Sequence, residues 1–176
     1  MSLKPPFKPL FNDNALKNVT NNLHYWRKED ILYILTSQPI LESYIELFTL
    51  QKIPTNQELI KKEINEYLKD LSNFQQFKLP SGNYGFTIYN GKIVINENIF
   101  SRNYPKSIQN TFAITTIIHE MANVLMRRIR TDTIESGKIV ESMLFGNNTS
   151  FSLRQAVFIN NKKTIIVQKK IFNKIS

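Results

Sequence analysis

Apolar residues in the first 75 positions recur every three or four residues, which is the period of amphipathic helices. The pattern predicts helices over residues 14–27 and 28–35, a third that begins at Pro39 and a fourth that begins after Pro54. Proline favours a helix start because its missing N–H would have no intrahelical partner there. The buried stripe predicted for the fourth helix consists of Leu59, Ile60, Ile64, Tyr67, Leu68 and Leu71.

The period changes after residue 82. Two β-rich runs, residues 85–89 and 92–95, flank Asn90-Gly91, and this pair favours the tight turn of a β-hairpin. A long helical pattern follows from about 107 to 130, and a shorter one runs from about 133 to 144 with Thr131-Asp132 as its cap. Alternating runs at 152–159 and 164–170 predict a second hairpin at the C-terminus.

These elements predict an α+β fold built from N-terminal helices, a β-hairpin, a long helix, a shorter helix and a C-terminal β-hairpin. We expect residues 1–11 to form an extended Pro-rich leader and residues 12–176 a single domain. Within it, 12–75 is the helical part, 84–146 the central part and 150–176 the basic C-terminal hairpin.

The amino-acid composition excludes several kinds of chemical site and a membrane span. The chain has no cysteine, which excludes disulfides and thiolate metal sites and suits a reducing compartment. No apolar run approaches the roughly 18 residues of a membrane span. Residues 1–11 lack the apolar core of a signal peptide, so the expectation is an intracellular protein, cytoplasmic or organellar.

Positive charge is concentrated in the C-terminal part. Residues 101–176 hold 12 Lys/Arg against 4 Asp/Glu, whereas residues 1–100 are nearly balanced. A basic surface attracts RNA, anionic membranes or acidic proteins, although it also fits a solvated face. The residues predicted for this surface are Arg127, Arg128, Arg130, Lys162, Lys163, Lys169 and Lys170.

The long helix carries the one recognisable chemical pattern. His119 and Asn123 are four residues apart and so share a helical face, with Glu120 one step around it. In the pattern His-Glu-x-x-His two imidazoles bind zinc and the glutamate accepts a proton from the metal-bound water. Here the second histidine position is Asn123.

The order of a hairpin, a helix with Ile-Ile-His-Glu-Met-Ala-Asn and a second helix with acidic residues resembles the zincin metallopeptidases. More narrowly, residues 116–128 followed by Glu-Ser-Gly at 135–137 resemble a group of small eukaryotic metallopeptidase-like proteins. The match covers about 85–150 and implies a minimal zincin-like core.

The resemblance implies a role for each matching residue. His119 would be the first zinc ligand, Asn123 would occupy the second ligand position and Glu135 would be the third. Glu120 would be the general base, and Glu141 a supporting acid or alternative ligand. Because an amide oxygen is a weaker zinc ligand than imidazole, zinc binding is expected to be weak or lost and hydrolysis impaired or absent.

Two functions stay open. The first is a metallopeptidase-like protein that takes a peptide along an edge strand, which we place around Ile93–Asn96. The second is a non-catalytic module whose basic part binds an acidic partner. A purely structural interpretation is also available, in which His119 and Glu120 form local hydrogen bonds and Asn123 satisfies a backbone carbonyl.

Overall fold

The structure is a computed structural model that describes residues 8–9, 28–80, 82–88, 91–100, 106–129, 136–145, 149–152, 157–160 and 163–165. The predicted helix over 14–27 and the predicted cap at 131–132 lie outside them.

Three of the predicted N-terminal helices are confirmed. They are α1 (Lys28–Leu35), α2 (Gln38–Leu50) and α3 (Gln57–Leu68). Helix α2 has Pro39 in its first turn, and α3 is capped by the side chain of Asn56, which accepts a hydrogen bond from the Leu59 N–H at 2.9 Å. Their apolar faces supply much of the core, with buried residues Ile31, Ile34, Leu35, Ile40, Leu41, Tyr44, Leu47, Phe48, Ile60, Ile64, Tyr67 and Leu68.

A four-stranded mixed sheet follows. Its strands are β1 (Lys8–Pro9), β2 (Phe74–Phe77), β3 (Gly85–Thr87) and β4 (Ile93–Asn96), in the spatial order β1, β2, β4, β3. The predicted hairpin is confirmed as the antiparallel pair β3 and β4, and Gly91 has the positive φ of 87° that its turn requires. Strand β2, which the sequence pattern did not predict, runs parallel to β4.

This topology corrects the predicted position of the sheet edge. Residues 93–96 were expected to be an edge strand, but β4 pairs with β2 on one side and with β3 on the other. All four of its residues are buried, which is typical of a strand covered on both faces. Among the described strands, β3 therefore forms the edge on this side of the sheet.

The long helix α4 (Lys106–Ile129) lies at the centre of the described core, and α5 (Ser136–Phe145) packs against it. Helix α4 buries Phe112, Ala113, Ile114, Ile117, Ile118, Met121, Ala122, Val124, Leu125 and Met126. From α2, the fully buried Tyr44 donates its hydroxyl proton to the Ile118 carbonyl at 2.9 Å, and burial raises the pKa of this phenol.

The C-terminal strands form a second, antiparallel sheet of β5 (Thr149–Ser152), β6 (Val157–Asn160) and β7 (Lys163–Ile165). The predicted hairpin is confirmed as the pair β6 and β7. Strand β5 pairs with β6 as the third strand of this sheet. The alternating pattern of apolar and polar residues did not predict β5 as a separate strand. The α+β class is thus confirmed, and none of the described helices combines the length and apolar character needed to cross a membrane.

Asn96 lies at the end of β4 and forms hydrogen bonds with residues that precede the hairpin. Its side chain is buried, and its Oδ1 accepts hydrogen bonds from the backbone N–H of Leu79 at 3.3 Å and of Asn98 at 3.1 Å. Its Nδ2 donates to the Asn83 carbonyl at 2.7 Å. A buried amide with this many backbone partners ties Leu79 and Asn83 to the end of β4.

We predict that Asn96→Asp lowers the free energy of unfolding by about 1–3 kcal/mol, because it keeps the shape but removes the donor to the Asn83 carbonyl and buries a charge. Denaturant titration at pH 7 measures the change. The matched control is Asn98→Asp, an exposed position, where we expect no more than about 0.5 kcal/mol. Equal effects in the two variants would contradict the role assigned to Asn96.

Candidate functional site

The hairpin lies unusually close to α4. A Cβ atom added to Gly85 would be 2.6 Å from Thr116 Cγ2 and 2.7 Å from the Val94 carbonyl oxygen. Contacts under 3 Å are not tolerated between such atoms, so only glycine allows β3 this approach. The polar face of α4 therefore lies directly beside the edge strand.

A cleft of about 330 Å³ opens between the hairpin, α4 and α5. One wall comes from the residues that lead into β3, a second from α4 and a third from the first half of α5. The lining residues are Gly82, Asn83, Tyr84, Gly85, Thr116, His119, Glu120, Lys138 and Glu141. Three residues that the sequence singled out, His119, Glu120 and Glu141, are thus brought together in one cleft.

The carboxylate of Glu120 is buried, since the residue is only 5% exposed. Its Oε2 accepts a hydrogen bond from Thr87 Oγ1 at 2.6 Å and another from Asn123 Nδ2 at 3.2 Å. Its Oε1 lies 3.7 Å from His119 Nε2. Two donors on one oxygen fix the orientation of this side chain and compensate part of the cost of burying its charge.

His119 is held between α4 and α5. Its Nδ1 is hydrogen-bonded to Glu141 Oε1. The ring packs on the backbone of Gly137, where an added Cβ would lie 2.2 Å from the imidazole Cδ2. The glycine of the Glu-Ser-Gly segment is therefore required by the close approach of the imidazole to α5.

Both the nitrogen and the oxygen of the Asn123 side-chain amide form hydrogen bonds. Nδ2 donates to Glu120, and Oδ1 accepts a hydrogen bond from the Gly137 N–H at 3.2 Å. The structural interpretation of the sequence predicted that the Asn123 side chain satisfies a backbone carbonyl. In the structure its oxygen instead accepts a hydrogen bond from a backbone N–H. The residue joins a carboxylate of α4 to the first turn of α5.

The contacts of these side chains determine whether they could also bind a metal ion. His119 Nδ1 is bonded to Glu141, and the Asn123 oxygen already accepts a hydrogen bond from Gly137. Among the residues that the structure describes, no three His, Asp or Glu side chains form a group that could hold a metal ion. Glu135, the predicted third ligand, lies outside the described residues. Without it, the described side chains do not fit a three-ligand zinc site.

Sequence reasoning missed Thr87, Gly137 and Lys138. Gly137 had a usable signal, because glycine inside a helical pattern is unfavourable and often marks a close contact. Thr87 had none, since a threonine in a strand is ordinary and its hydrogen bond to Glu120 spans 33 positions.

The two arginines near the end of α4 contact neighbouring elements. Arg127 Nη1 donates to the Ile88 carbonyl at 3.2 Å and so ties α4 to the end of the hairpin strand. Arg128 Nε lies 2.7 Å from Glu63 Oε2 on α3. Of the other residues predicted for a basic surface, Lys163 lies in β7, and Arg130, Lys162, Lys169 and Lys170 lie outside the described residues.

Comparison of the chain with protein-family models, with curated proteins and with solved structures finds no match.

We predict that Asn123→Asp lowers the free energy of unfolding by about 2 kcal/mol, because it replaces the donor to Glu120 with a second carboxylate. Denaturant titration at pH 7 in the presence of a chelator measures the loss without a contribution from metal. Asn65→Asp, at an exposed position on α3, is the matched control. An Asn123→Asp protein as stable as the parent would show that the bond to Glu120 contributes nothing.

Proposed function

We propose that this chain is a metallopeptidase-like protein of zincin type in which the catalytic site has become a hydrogen-bonded polar network. The order of elements supports the ancestry: a hairpin at a sheet edge, a long helix with His119 and Glu120, and a second helix with Glu141. The cleft among these three elements supports the position of the site.

The observation that carries the loss of catalysis is the pair of hydrogen bonds made by Asn123. At the position where the zincin pattern has a second imidazole, the amide donates to Glu120 and accepts from Gly137. Glu120 in turn is held by Thr87 and Asn123 through Oε2, which fixes the direction in which its carboxylate points.

If a peptide binds, we expect it along β3 and not along residues 93–96. Asn96 N–H donates to the Tyr84 carbonyl and Ile88 N–H donates to the Lys92 carbonyl, so the backbone groups of alternate residues face β4. The intervening Gly85 and Thr87 are in non-hydrogen-bonded pairs and direct their backbone groups away from β4. An added strand would compete there with the Asn83 side chain, which accepts from the Gly85 N–H at 3.2 Å, and with Arg127 Nη1, which donates to the Thr87 carbonyl at 3.5 Å.

The second function, a basic module for an acidic partner, draws its support from the charge of residues 101–176. Two of its seven predicted residues, Arg127 and Arg128, already contact the hairpin and α3. This alternative therefore depends mainly on residues beyond those that the structure describes.

The test is the metal content of the parent protein, Asn123→His and His119→Ala, measured by elemental mass spectrometry after exposure to zinc. We expect substoichiometric zinc in the parent and near-stoichiometric zinc in Asn123→His, because imidazole is the better ligand. Circular dichroism checks that each variant is folded, since residue 123 also holds Gly137.

Stoichiometric zinc in the parent that disappears in His119→Ala, together with cleavage of a peptide library, would overturn the proposed loss of catalysis. A folded Asn123→His protein that binds no zinc would overturn the proposed zincin ancestry.

A further inference from the structure

We propose that Arg127 makes the outer edge of β3 selective for an extended peptide that carries an acidic side chain. In the chain by itself the Arg127 guanidinium contacts backbone carbonyls at this edge, and a carboxylate of the peptide draws it away from them. The inference rests on the proposed function, because it concerns the peptide edge named there. It requires neither a metal ion nor hydrolysis.

Arg127 contacts backbone atoms that an added strand would need. Gly85 and Thr87 direct their backbone groups away from β4. From α4, Arg127 Nη1 donates to the Thr87 carbonyl at 3.5 Å and to the Ile88 carbonyl at 3.2 Å. A peptide that pairs with β3 through main-chain hydrogen bonds therefore competes with this side chain for the Thr87 carbonyl.

The contacts of Arg127 at the β3 edge can be released at little cost. A distance of 3.5 Å to the Thr87 carbonyl exceeds the usual range of an N–H···O bond, so that bond is weak. The Ile88 carbonyl also accepts the Gly91 N–H at 2.8 Å and keeps this partner when Arg127 leaves. Because Arg127 is exposed, water can replace the contacts that it gives up.

The positive charge of Arg127 is not paired with an acidic residue. Among the residues that the structure describes, no carboxylate forms an ion pair with it. Arg128 differs, because its Nε lies 2.7 Å from Glu63 Oε2 and its guanidinium carbon lies 6.0 Å from the centre of the Tyr67 ring. The Arg127 guanidinium instead binds neutral carbonyls, which are weaker acceptors than a carboxylate. An acidic side chain at the edge would offer it a stronger, bidentate partner.

The acidic residues of the neighbouring cleft already have donors of their own. Glu120 accepts two side-chain hydrogen bonds, and Glu141 binds the His119 ring. Lys138, an exposed cation, lines the same cleft. Donors and a cation near both carboxylates reduce their repulsion of an acidic peptide.

The test is a ¹⁵N chemical-shift titration of the full chain at pH 7 with a chelator present. The probes are the blocked peptide acetyl-Thr-Glu-Val-Glu-Thr-amide and its counterpart with glutamine in place of both glutamates. Their residue order is the same in either direction, so the comparison holds for parallel and for antiparallel addition. The Asn83 side chain, which accepts from the Gly85 N–H, opposes both peptides equally. Changes in the amide shifts of residues 85–88 locate the peptide at the β3 edge.

We expect the acidic peptide to bind the parent about fivefold more tightly than the neutral peptide, because only the acidic one offers Arg127 a carboxylate. In Arg127→Met we expect this ratio to fall to about one, since the neutral peptide loses its competitor and the acidic peptide loses its cation. Arg128→Met is the matched control. It removes the same charge from the next position of α4, where the side chain contacts α3, and should keep the fivefold ratio.

Equal affinity for the two peptides in the parent overturns the inference, as does a ratio that persists in Arg127→Met or is lost equally in Arg128→Met. Absence of binding at millimolar peptide, or shift changes only outside residues 85–88, overturns it too. The zinc measurements are independent of these titrations, because the titrations contain a chelator. A protein that gains zinc in Asn123→His but shows no preference for the acidic peptide would therefore refute this inference alone.

Discussion

The buried carboxylate of Glu120 is the constraint around which the central part of the molecule is arranged. A charge that is only 5% exposed requires donors, and it receives them from Thr87 on the hairpin and Asn123 on its own helix. Asn123 then accepts the N–H of Gly137, so a single carboxylate connects β3, α4 and α5. Removal of any one member would leave a buried polar group without its partner, which costs more than the bond itself contributes.

Two glycines make that network geometrically feasible. Gly85 lets β3 approach α4 closely enough for Thr87 to reach Glu120, and Gly137 lets the His119 ring lie on the backbone of α5. In both places a methyl group would occupy the space that the neighbouring side chain fills. The positions of the hairpin and α5 on α4 are therefore set by the absence of two side chains as much as by apolar packing.

The same network determines how polar atoms of the cleft are used. His119, Glu120 and Glu141 face one cleft, where Glu141 binds the His119 ring and Asn123 donates to Glu120. Polar residues of α4 and α5 are thus held together by direct hydrogen bonds.

Local patterns in the sequence were enough to predict most of the helices and the β3–β4 hairpin, but not strands β2 and β5. Periodicity of three to four residues located α1 to α4, and Asn90-Gly91 located the β3–β4 hairpin, because these features depend on neighbours within a few positions. It also singled out His119, Glu120, Asn123 and Glu141, since their spacing on helices is a local property. The parallel pairing of β2 with β4, which makes β3 the edge among the described strands, could not be predicted in this way, nor could the bonds of Thr87 and Gly137 to residues of α4. Such contacts join residues far apart in the chain, and no local pattern of polar and apolar positions specifies which distant partner a threonine hydroxyl or a backbone N–H will find.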